Sequence, residues 1–350
     1  MKIINLKTLD KEGVHRFIEC LHLPRYRADQ LLLRLYRKHA VDIEEITEFS
    51  KELRTVLKTV AYISNLKLVN QVTSSDNTDK FLFALEDGQT VESVLISDKE
   101  HLTLCISSQV GCAMGCLFCQ TARCGFVRNL KSYEIIDQII AVNRVIHPKR
   151  VTNVVLMGMG EPLANFDWVV DALWKIVELL GISKRKITLS TAGLVPKLLM
   201  LPRKAPDINL AISLNATTDE VRNRIMPVNR RYPIQKLLDA CGRYPLPPGR
   251  RITFEYVMID GLNDFSEDAR RLVKLLSGIR CKINLIPLNP FLGCELKRSP
   301  DERVHTFQKI LLQHKTRAFI RESRGRDICA ACGQLRANRS NLQTVNERSV

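Results

Sequence analysis

Three cysteines lie close together in the chain, with three residues between the first pair and two between the second: Cys112, Cys116 and Cys119. Three thiolates at this spacing can hold three irons of a [4Fe–4S] cluster and leave the fourth iron open to another ligand. A structural zinc site is the alternative, because Cys124 could supply a fourth ligand. The spacing therefore predicts a metal centre in this segment, built either from iron and sulfide or from zinc.

A glycine-rich stretch, Gly158-Met-Gly160-Glu161, follows a predicted strand and forms a second candidate site. Glycine lets the backbone approach a ligand closely. The carboxylate of Glu161 could accept a hydrogen bond from a cationic amino group. An ordinary strand-to-helix turn is the alternative interpretation.

The charge of the chain favours a polyanionic partner. The sequence has 350 residues, with 53 Lys+Arg against 37 Asp+Glu and a net charge of +16. Such a balance is typical of nucleic-acid binding, although a merely basic surface is the alternative. No apolar run is long enough to span a membrane, and the N-terminus does not resemble a secretory signal. The 11 cysteines are odd in number, which argues against a disulfide scaffold. We expect a cytoplasmic protein.

Hydrophobic periodicity predicts the elements that must position these residues. Helices are expected at residues 11–21, 28–38 and 51–60, and short strands at 67–71, 80–85 and 90–96. Strands and helices then alternate, with strands at 102–107, 153–156, 186–190, 209–214, 251–258 and 281–286. The corresponding helices are expected at 133–146, 168–180, 234–242, 266–277 and 301–313. This order predicts an α/β fold whose parallel sheet curves into a partial (βα)6 barrel, with the site at the carboxyl ends of the strands.

The expected elements divide the chain into four parts. Residues 1–70 form a helical accessory module with a basic face, and residues 71–100 form a β extension. Residues 101–320 form the partial barrel, and residues 321–350 form a C-terminal segment that ends in a polar, frayed tail.

Longer motifs surround the cysteines. Residues 104–112 read Leu-Cys-Ile-Ser-Ser-Gln-Val-Gly-Cys, and residues 125–130 read Gly-Phe-Val-Arg-Asn-Leu. The C-terminal segment contains Asp-Ile-Cys-Ala-Ala-Cys-Gly-Gln-Leu, residues 327–335. With Val-Glu92-Ser-Val and Asn284-Leu-Ile-Pro-Leu-Asn289, these motifs resemble the RlmN family of radical S-adenosylmethionine (SAM) enzymes over nearly the whole chain. The resemblance implies a TIM-type radical SAM barrel. It also implies methylation of adenine C2 in the peptidyl-transferase centre of 23S rRNA and in tRNA.

The family's mechanism, as the resemblance implies, uses two SAM molecules per turnover. One methylates Cys332, and the other is cleaved to a 5′-deoxyadenosyl radical that abstracts hydrogen from the new methyl group. The resulting carbon radical adds to C2 and links protein to RNA. Glu92 then removes the C2 proton, and Cys105 releases the product by forming a disulfide. The cluster ligands implied are Cys112, Cys116 and Cys119.

Seven residues match the family's SAM-binding positions: Gly160, Glu161, Ser190, Ser213, Leu214, Asn215 and Asn289. Asn215 departs from the family pattern, which has His after Ser-Leu. An amide keeps hydrogen-bonding capacity but carries no positive charge. We expect SAM binding to survive this change and any role of a charge to be lost.

Other activities remain open from the sequence. Methylation at adenine C8, as in Cfr-type enzymes, shares the cluster and both reactive cysteines. A non-catalytic RNA-binding assembly factor with a structural metal would explain the charge but not the pair Cys105 and Cys332. A radical SAM enzyme acting on a peptide or small molecule would not explain the charge. Cys329 is a second candidate for the methyl-carrying thiol. The expected partners are 23S rRNA, tRNA and an electron donor such as flavodoxin, with the chain a monomer.

Overall fold

The N-terminal residues form three helices in the computed structural model, which describes residues 3–336. These are α1 (Lys11–Cys20), α2 (Tyr26–Tyr36) and α3 (Lys51–Val60). Local chemistry sets where they begin, since the Asp10 carboxylate accepts a hydrogen bond from the Gly13 N–H at 2.6 Å and caps α1. The three predicted helices are confirmed, with bounds shifted by no more than two residues.

A buried ion pair joins these helices to the rest of the chain. Strand β1 (Ile4–Asn5) pairs in parallel with β2 (Ala61–Tyr62), which brings both ends of the helical segment together. Lys7 follows β1, and its Nζ lies 2.6 Å from Oδ1 of Asp137, with both side chains buried. Because an unpaired buried charge is costly, this contact holds the helical segment in one orientation.

One large sheet carries the candidate site. Its strands, in chain order, are β3 (Lys67–Thr73), β4 (Thr78–Ala84), β5 (Thr90–Asp98), β6 (His101–Cys105), β9 (Asn153–Leu156), β10 (Ile187–Thr191), β11 (Asn209–Ser213), β12 (Ile252–Met258), β13 (Cys281–Pro287) and β14 (Ala318–Ile320). Two further strands, β7 (Gln109–Gly111) and β8 (Phe126–Asn129), form a separate antiparallel pair. The sheet order is β14-β13-β12-β11-β10-β9-β6-β5-β4-β3.

Strands β6 and β9 to β14 are parallel, whereas β3, β4 and β5 extend the sheet antiparallel beyond β6. The predicted partial barrel is therefore confirmed, and the predicted β extension belongs to the same sheet. Every predicted strand lies within two residues of its expected bounds. A seventh parallel strand, β14, was not predicted because three residues are too few to show a period.

Helices connect the parallel strands: α4 (Gln120–Arg123), α5 (Ser132–Val145), α6 (Phe166–Glu178), α7 (Val195–Lys204), α8 (Asp219–Ile225), α9 (Ile234–Gly242), α10 (Ser266–Leu275) and α11 (Asp301–Gln313). The prediction missed α4, α7 and α8. Helix α7 contains Pro202, and proline usually ends a helix, which hides it from pattern reasoning. Helices α4 and α8 are short. No helix in the described residues is long and apolar enough to cross a membrane.

Alternation along the strands separates an apolar layer from a polar interior. Leu189 and Phe254 belong to the hydrophobic core beneath the helices. The residues that follow them, Ser190 and Glu255, face the cavity inside the barrel. In register, Ser213 pairs with Glu255 and Glu255 with Asn284, so a polar row crosses three strands. This row begins at the carboxyl end of β11 and crosses the middle of β12 and β13, where Glu255 reaches the cavity wall.

Candidate active site

A cavity of about 170 Å³ opens at the carboxyl ends of the parallel strands. The strands contribute polar side chains to its wall, and two other segments close it. One is the cysteine loop that follows β7, and the other is the C-terminal segment around Cys332. Predicted site residues that line the cavity are Cys112, Cys116, Cys119, Gly160, Glu161, Ser190, Ser213, Asn215, Asn289 and Cys332. Leu214, Cys105 and Glu92 do not line it.

The cysteine loop is shaped by a very close backbone approach. The Cys112 N–H donates to the Gly125 carbonyl at 2.8 Å. Gly111 has φ +76°, and a Cβ there would lie 1.9 Å from the Gly125 oxygen. Only glycine fits this position, so the hairpin of β7 and β8 sets the path of the chain into Cys112. Burial raises the pKa of all three loop thiols, which therefore need a metal to hold them as thiolates near neutral pH.

The three loop thiols line one wall of the cavity. They lie near enough that, besides burial, charge on Cys119 and Cys112 raises the pKa of Cys116. Cys124, the fourth ligand that a zinc site would need, is exposed and does not line the cavity. Thiolates of a [4Fe–4S] cluster each bind a different iron, so the three cavity cysteines fit that group.

The glycines near Glu161 allow close packing at the wall of the cavity. A Cβ on Gly158 would lie 2.7 Å from the Ile106 oxygen, and one on Gly160 would lie 2.6 Å from Cβ of Gln109. Both glycines therefore let this loop lie against residues 106–109. Both also line the cavity, and the approach of a ligand to their backbone stays a prediction.

Glu161 ties the loop after β9 to the end of β10. Its Oε1 accepts hydrogen bonds from Leu163 N–H at 2.9 Å and from the Thr191 hydroxyl at 2.6 Å. Its Oε2 accepts from Ala192 N–H at 2.7 Å. Burial raises the pKa of Glu161, while these hydrogen bonds favour its ionised form. The carboxylate borders the cavity with both oxygens already hydrogen bonded.

Residues 325–336 of the C-terminal segment bring Cys332 to the cavity. There it lies beside the cysteine loop, whose residues come more than two hundred positions earlier in the sequence. The Thr121 hydroxyl donates to the Leu335 carbonyl at 2.7 Å, and Gln334 Nε2 donates to the Pro290 carbonyl at 2.8 Å. Gly333 has φ +83°, and a Cβ there would lie 2.9 Å from the Phe118 oxygen. The segment is thus fitted closely against the cysteine loop.

Cys332 lies deep among protein atoms yet remains accessible to solvent through the cavity. Burial, together with the negative charge of Glu255, raises the pKa of its thiol to about 11. Cys329, the other cysteine of this segment, is exposed and does not line the cavity. Of the two candidate thiols, the geometry therefore favours Cys332.

Cys105 lies beneath the C-terminal segment. It is buried in a small apolar cluster with Val94, Met159, Ala330 and Leu335. Burial raises the pKa of the Cys105 thiol, and the nearby Cys332 thiolate raises it further. The two sulfurs are thus close enough to interact electrostatically, while Ala330 and Leu335 of the C-terminal segment pack in the same cluster as Cys105.

Glu92 also contacts the C-terminal segment. It is buried on β5, and its Oε2 accepts a hydrogen bond from the Arg336 N–H at 2.7 Å. Its Oε1 lies 3.5 Å from Nζ of Lys80. The carboxylate is therefore engaged by the segment and stays outside the cavity.

Comparison with known proteins identifies the family of the chain. Residues 106–276 match the Radical SAM superfamily, and residues 4–63 match the ribosomal RNA large subunit methyltransferase N-terminal domain. The dual-specificity RNA methyltransferase RlmN of Pelobacter propionicus is 49% identical over 334 residues, which cover 95% of each chain. The chain belongs to the RlmN family. The RlmN protein of Geobacter sulfurreducens is 49% identical over 336 residues, 95% of this chain and 92% of that one.

A solved structure of a radical SAM methyltransferase from Sphaerobacter thermophilus has the same fold. The two structures superpose with a TM-score of 0.92 and are 42% identical in sequence. The match covers 96% of this chain and 100% of the other. The radical SAM assignment and the helical module predicted from the sequence are confirmed. Radical SAM enzymes bind a [4Fe–4S] cluster and SAM, and the residues of this cavity fit both groups by the chemistry of their donors.

For the SAM half of the site, Asn289 offers the clearest fit. Its Nδ2 donates to the Cys332 carbonyl at 3.3 Å. Its Oδ1 is buried and has no hydrogen-bond partner within residues 3–336. A buried acceptor without a partner is unfavourable unless a ligand supplies the donor. The hydroxyl and amino groups of SAM are such donors, and the hydroxyls of Ser190 and Ser213 border the same cavity.

Asn215, the departure from the family pattern, is fully used within the protein. It adopts φ +58°, a left-handed conformation that asparagine tolerates well. Its Oδ1 accepts from the Val257 N–H at 2.8 Å, and its Nδ2 lies 3.2 Å from the sulfur of Met226. Leu214, which also matches a SAM-binding position of the family, has its side chain buried in the core. Only its backbone could therefore face a ligand.

Sequence reasoning missed Glu255, a buried carboxyl group in the cavity wall. The signal was present, because Glu255 is the one charged residue in the apolar run of β12. A charge at an inward position of a buried strand is unusual and indicates a function.

Proposed function

We propose that this chain is a radical SAM enzyme that methylates C2 of adenine in 23S rRNA, at the peptidyl-transferase centre, and in tRNA. The observation that carries the proposal is the convergence at one site of Cys332 with the three loop cysteines, while Cys105 lies next to Cys332. RNA methylation is the activity named for the family relatives. Position C2 of adenine is supported by the resemblance of residues 125–130 and of the chain as a whole to the C2 family.

In this proposal, Cys332 receives a methyl group and then forms the bond to RNA. When bound, the cluster and SAM supply the one-electron chemistry that activates this methyl group. Glu92 accepts the C2 proton of the adduct, which requires release of its hydrogen bond from Arg336. Cys105 then attacks the Cys332 sulfur, which requires that residues 330–335 move from above it. The C-terminal segment thus moves during the catalytic cycle, and the hydrogen bonds described above belong to one of its positions.

The other residues hold SAM and the cluster. Cys112, Cys116 and Cys119 each bind one iron, and Asn289 accepts a hydrogen bond from SAM through its free Oδ1. Ser190 and Ser213 donate from the barrel wall. Gly160 and Glu161 would hold the methionyl amine of SAM, and Leu214 and Asn215 would shape the end of β11 beside it.

Recognition of RNA involves the helical module, residues 1–70, whose match is to a ribosomal RNA methyltransferase N-terminal domain. Residues 71–100 extend the sheet, residues 101–320 form the catalytic barrel, and residues 321–350 present Cys332. The positive net charge of +16 supports binding to RNA phosphates. We expect the protein to act in the cytoplasm as a monomer, reduced by a donor such as flavodoxin. Residues 337–350, the predicted frayed tail, lie outside the described residues.

The test combines anaerobically reconstituted protein with SAM, a reductant and an rRNA fragment that contains the target adenosine. The digested nucleosides are read by mass spectrometry against 2-methyladenosine and 8-methyladenosine standards. Formation of 2-methyladenosine supports the proposal. Formation of 8-methyladenosine would move the methylation to C8, and SAM cleavage without either nucleoside would contradict RNA as the substrate.

A variant separates the two cysteine roles. Cys105→Ala should leave Cys332 methylation intact and trap a covalent protein–RNA adduct, which denaturing gels detect. Turnover without an accumulating adduct would remove Cys105 from the mechanism. The matched control is Cys329→Ala, which replaces the other C-terminal thiol and should leave turnover unchanged.

A further inference from the structure

Two carboxyl groups line the cavity among the described residues, and they differ in how they are held. Both oxygens of Glu161 are occupied by hydrogen bonds from the protein. Glu255 is bonded through Oε1 alone, which accepts from Nδ2 of Asn284 at 2.9 Å. No hydrogen bond from residues 3–336 reaches its other oxygen. Of these two carboxylates, Glu255 is therefore the one with an oxygen that the described residues leave without a hydrogen bond.

The sheet holds Glu255 rigidly in this position. Its backbone carbonyl accepts from the Leu214 N–H at 3.0 Å, and its neighbours in register are Ser213 and Asn284. The side chain is buried, at 6% exposure, on a strand that is bonded on both sides. A group on a central strand keeps its direction better than one on a loop, which suits a role in chemistry.

The methylation proposed for Cys332 requires such a group. A thiol reacts as a nucleophile through its thiolate, so the S–H proton must leave before or as the new S–C bond forms. The Cys332 thiol is protonated near neutral pH because its pKa is raised to about 11. Burial raises the pKa of Glu255 to about 7, against the opposing effects of Asn284, Arg321 and Lys282. A base with a pKa near the working pH is the most effective kind.

We propose that Glu255 accepts the proton of Cys332 during methylation of that cysteine. The S–H bond breaks, and its proton passes to the Glu255 carboxylate directly or through one water in the cavity. The freed electron pair forms the S–CH3 bond as the bond between the methyl carbon and the SAM sulfonium breaks. S-adenosylhomocysteine leaves as a neutral thioether, and Glu255 is left as a carboxylic acid. This inference rests on the proposed role of Cys332.

The substitution Glu255→Gln tests the inference because two roles of the residue predict opposite results. It removes the base but keeps the size of the side chain and an acceptor for Asn284. It also removes the negative charge that raises the pKa of Cys332. If Glu255 acts only through its charge, the variant thiol becomes more acidic and methylation becomes faster. If Glu255 is the base, methylation becomes slower by about 100-fold, the lower range for a general base.

The assay follows transfer of a trideuterated methyl group from labelled SAM to the Cys332 peptide, read by mass spectrometry on reconstituted protein. Two readouts besides methylation accompany it. Equilibrium dialysis should show unchanged SAM binding, and the pH profile of Cys332 alkylation by iodoacetamide should shift to lower pH in the variant. Glu267→Gln, which changes an exposed glutamate on α10, is the matched control and should leave every measurement unchanged.

The outcomes separate the inference from the proposed function. A labelled methyl on Cys332 in the parent protein, together with its slow appearance in Glu255→Gln, supports both. Methylation of the variant at the parent rate or faster overturns the role of Glu255 alone. Absence of the label from Cys332 in the parent protein overturns the proposed function and, with it, this inference.

Discussion

The substitution Gly333→Ala should expose Cys105, because Gly333 fits the C-terminal segment against the cysteine loop. Gly333 adopts φ +83°, where an L side chain is strained by about 1–2 kcal/mol. A Cβ there would also lie 2.9 Å from the Phe118 carbonyl oxygen, which is backbone and cannot rotate away. The state in which the C-terminal segment packs on the cysteine loop is thus destabilised by at least this strain. The fraction of molecules in which the segment has left the loop, the undocked fraction, should rise by about 5- to 30-fold.

Alkylation of Cys105 measures the undocked fraction. Cys105 is covered by Ala330 and Leu335, so its thiol reacts only when the segment leaves. Peptide mass spectrometry after timed treatment with iodoacetamide should show Cys105 modified about 5- to 30-fold faster in Gly333→Ala. Cys124, which is exposed, reports the reactivity of the reagent in the same sample.

A matched variant isolates the docking effect from general strain. Gly278 has φ +86° and no atom within 4 Å of an added Cβ, and it lies outside the C-terminal segment. Gly278→Ala should therefore pay a similar backbone strain without exposing Cys105. Unchanged Cys105 reactivity in Gly333→Ala, or an equal increase in Gly278→Ala, would refute the role of Gly333 in docking the C-terminal segment on the cysteine loop.

Four further perturbations follow from the structure. Asp137→Ala should lower the free energy of unfolding by about 3–5 kcal/mol in urea titrations, because a buried lysine ammonium loses its partner; a loss below about 1 kcal/mol would contradict that account. Asn289→Ala should weaken SAM binding by about tenfold in equilibrium dialysis, through loss of one hydrogen bond, and unchanged affinity would remove its free Oδ1 from the site. Burial raises the pKa of Glu255 from 4.5 to about 7, so between these pH values the folded state binds a proton that the unfolded state does not. The free energy of unfolding should therefore fall by up to about 3 kcal/mol as pH rises through this range. In urea titrations at pH 5 and 7.5, Glu255→Gln should show a smaller fall, and an equal fall would show that the carboxyl group is solvated. Cys119→Ala should abolish cluster absorbance and iron content whereas Cys124→Ala should retain both, and loss of iron in the second variant would bring Cys124 into the metal site.

Local patterns in the sequence were sufficient for most of the secondary structure. The strands of the barrel and the helices that flank them follow from alternation and helical spacing, because each bears one apolar face. Helix α7 was missed because Pro202 interrupts the pattern, while α8 and β14 are held by their neighbours rather than by their own periodicity. Short elements of this kind depend on tertiary contacts.

The candidate site was only partly within reach of the sequence. The cysteine spacing and the motifs around Cys105 and Cys332 indicated the chemistry, since ligand and nucleophile types are local properties. The close packing of Gly158 and Gly160 against residues 106–109 was not predicted, because it is invisible without the fold. The left-handed backbone of Asn215 and its hydrogen bond from the Val257 N–H could not be predicted from the sequence either.

The sequence by itself determined the family, the alternation of strands and helices, and the cysteines that are candidates for chemistry. The tertiary structure alone decided which of these groups meet. It places Cys332 in the cavity and Cys329 outside it, covers Cys105 with the segment that bears Cys332, and brings Glu255 into the cavity wall. The physical reason is that these contacts join residues far apart in the chain. They depend on strand register and on the curvature of the sheet, which no local pattern specifies.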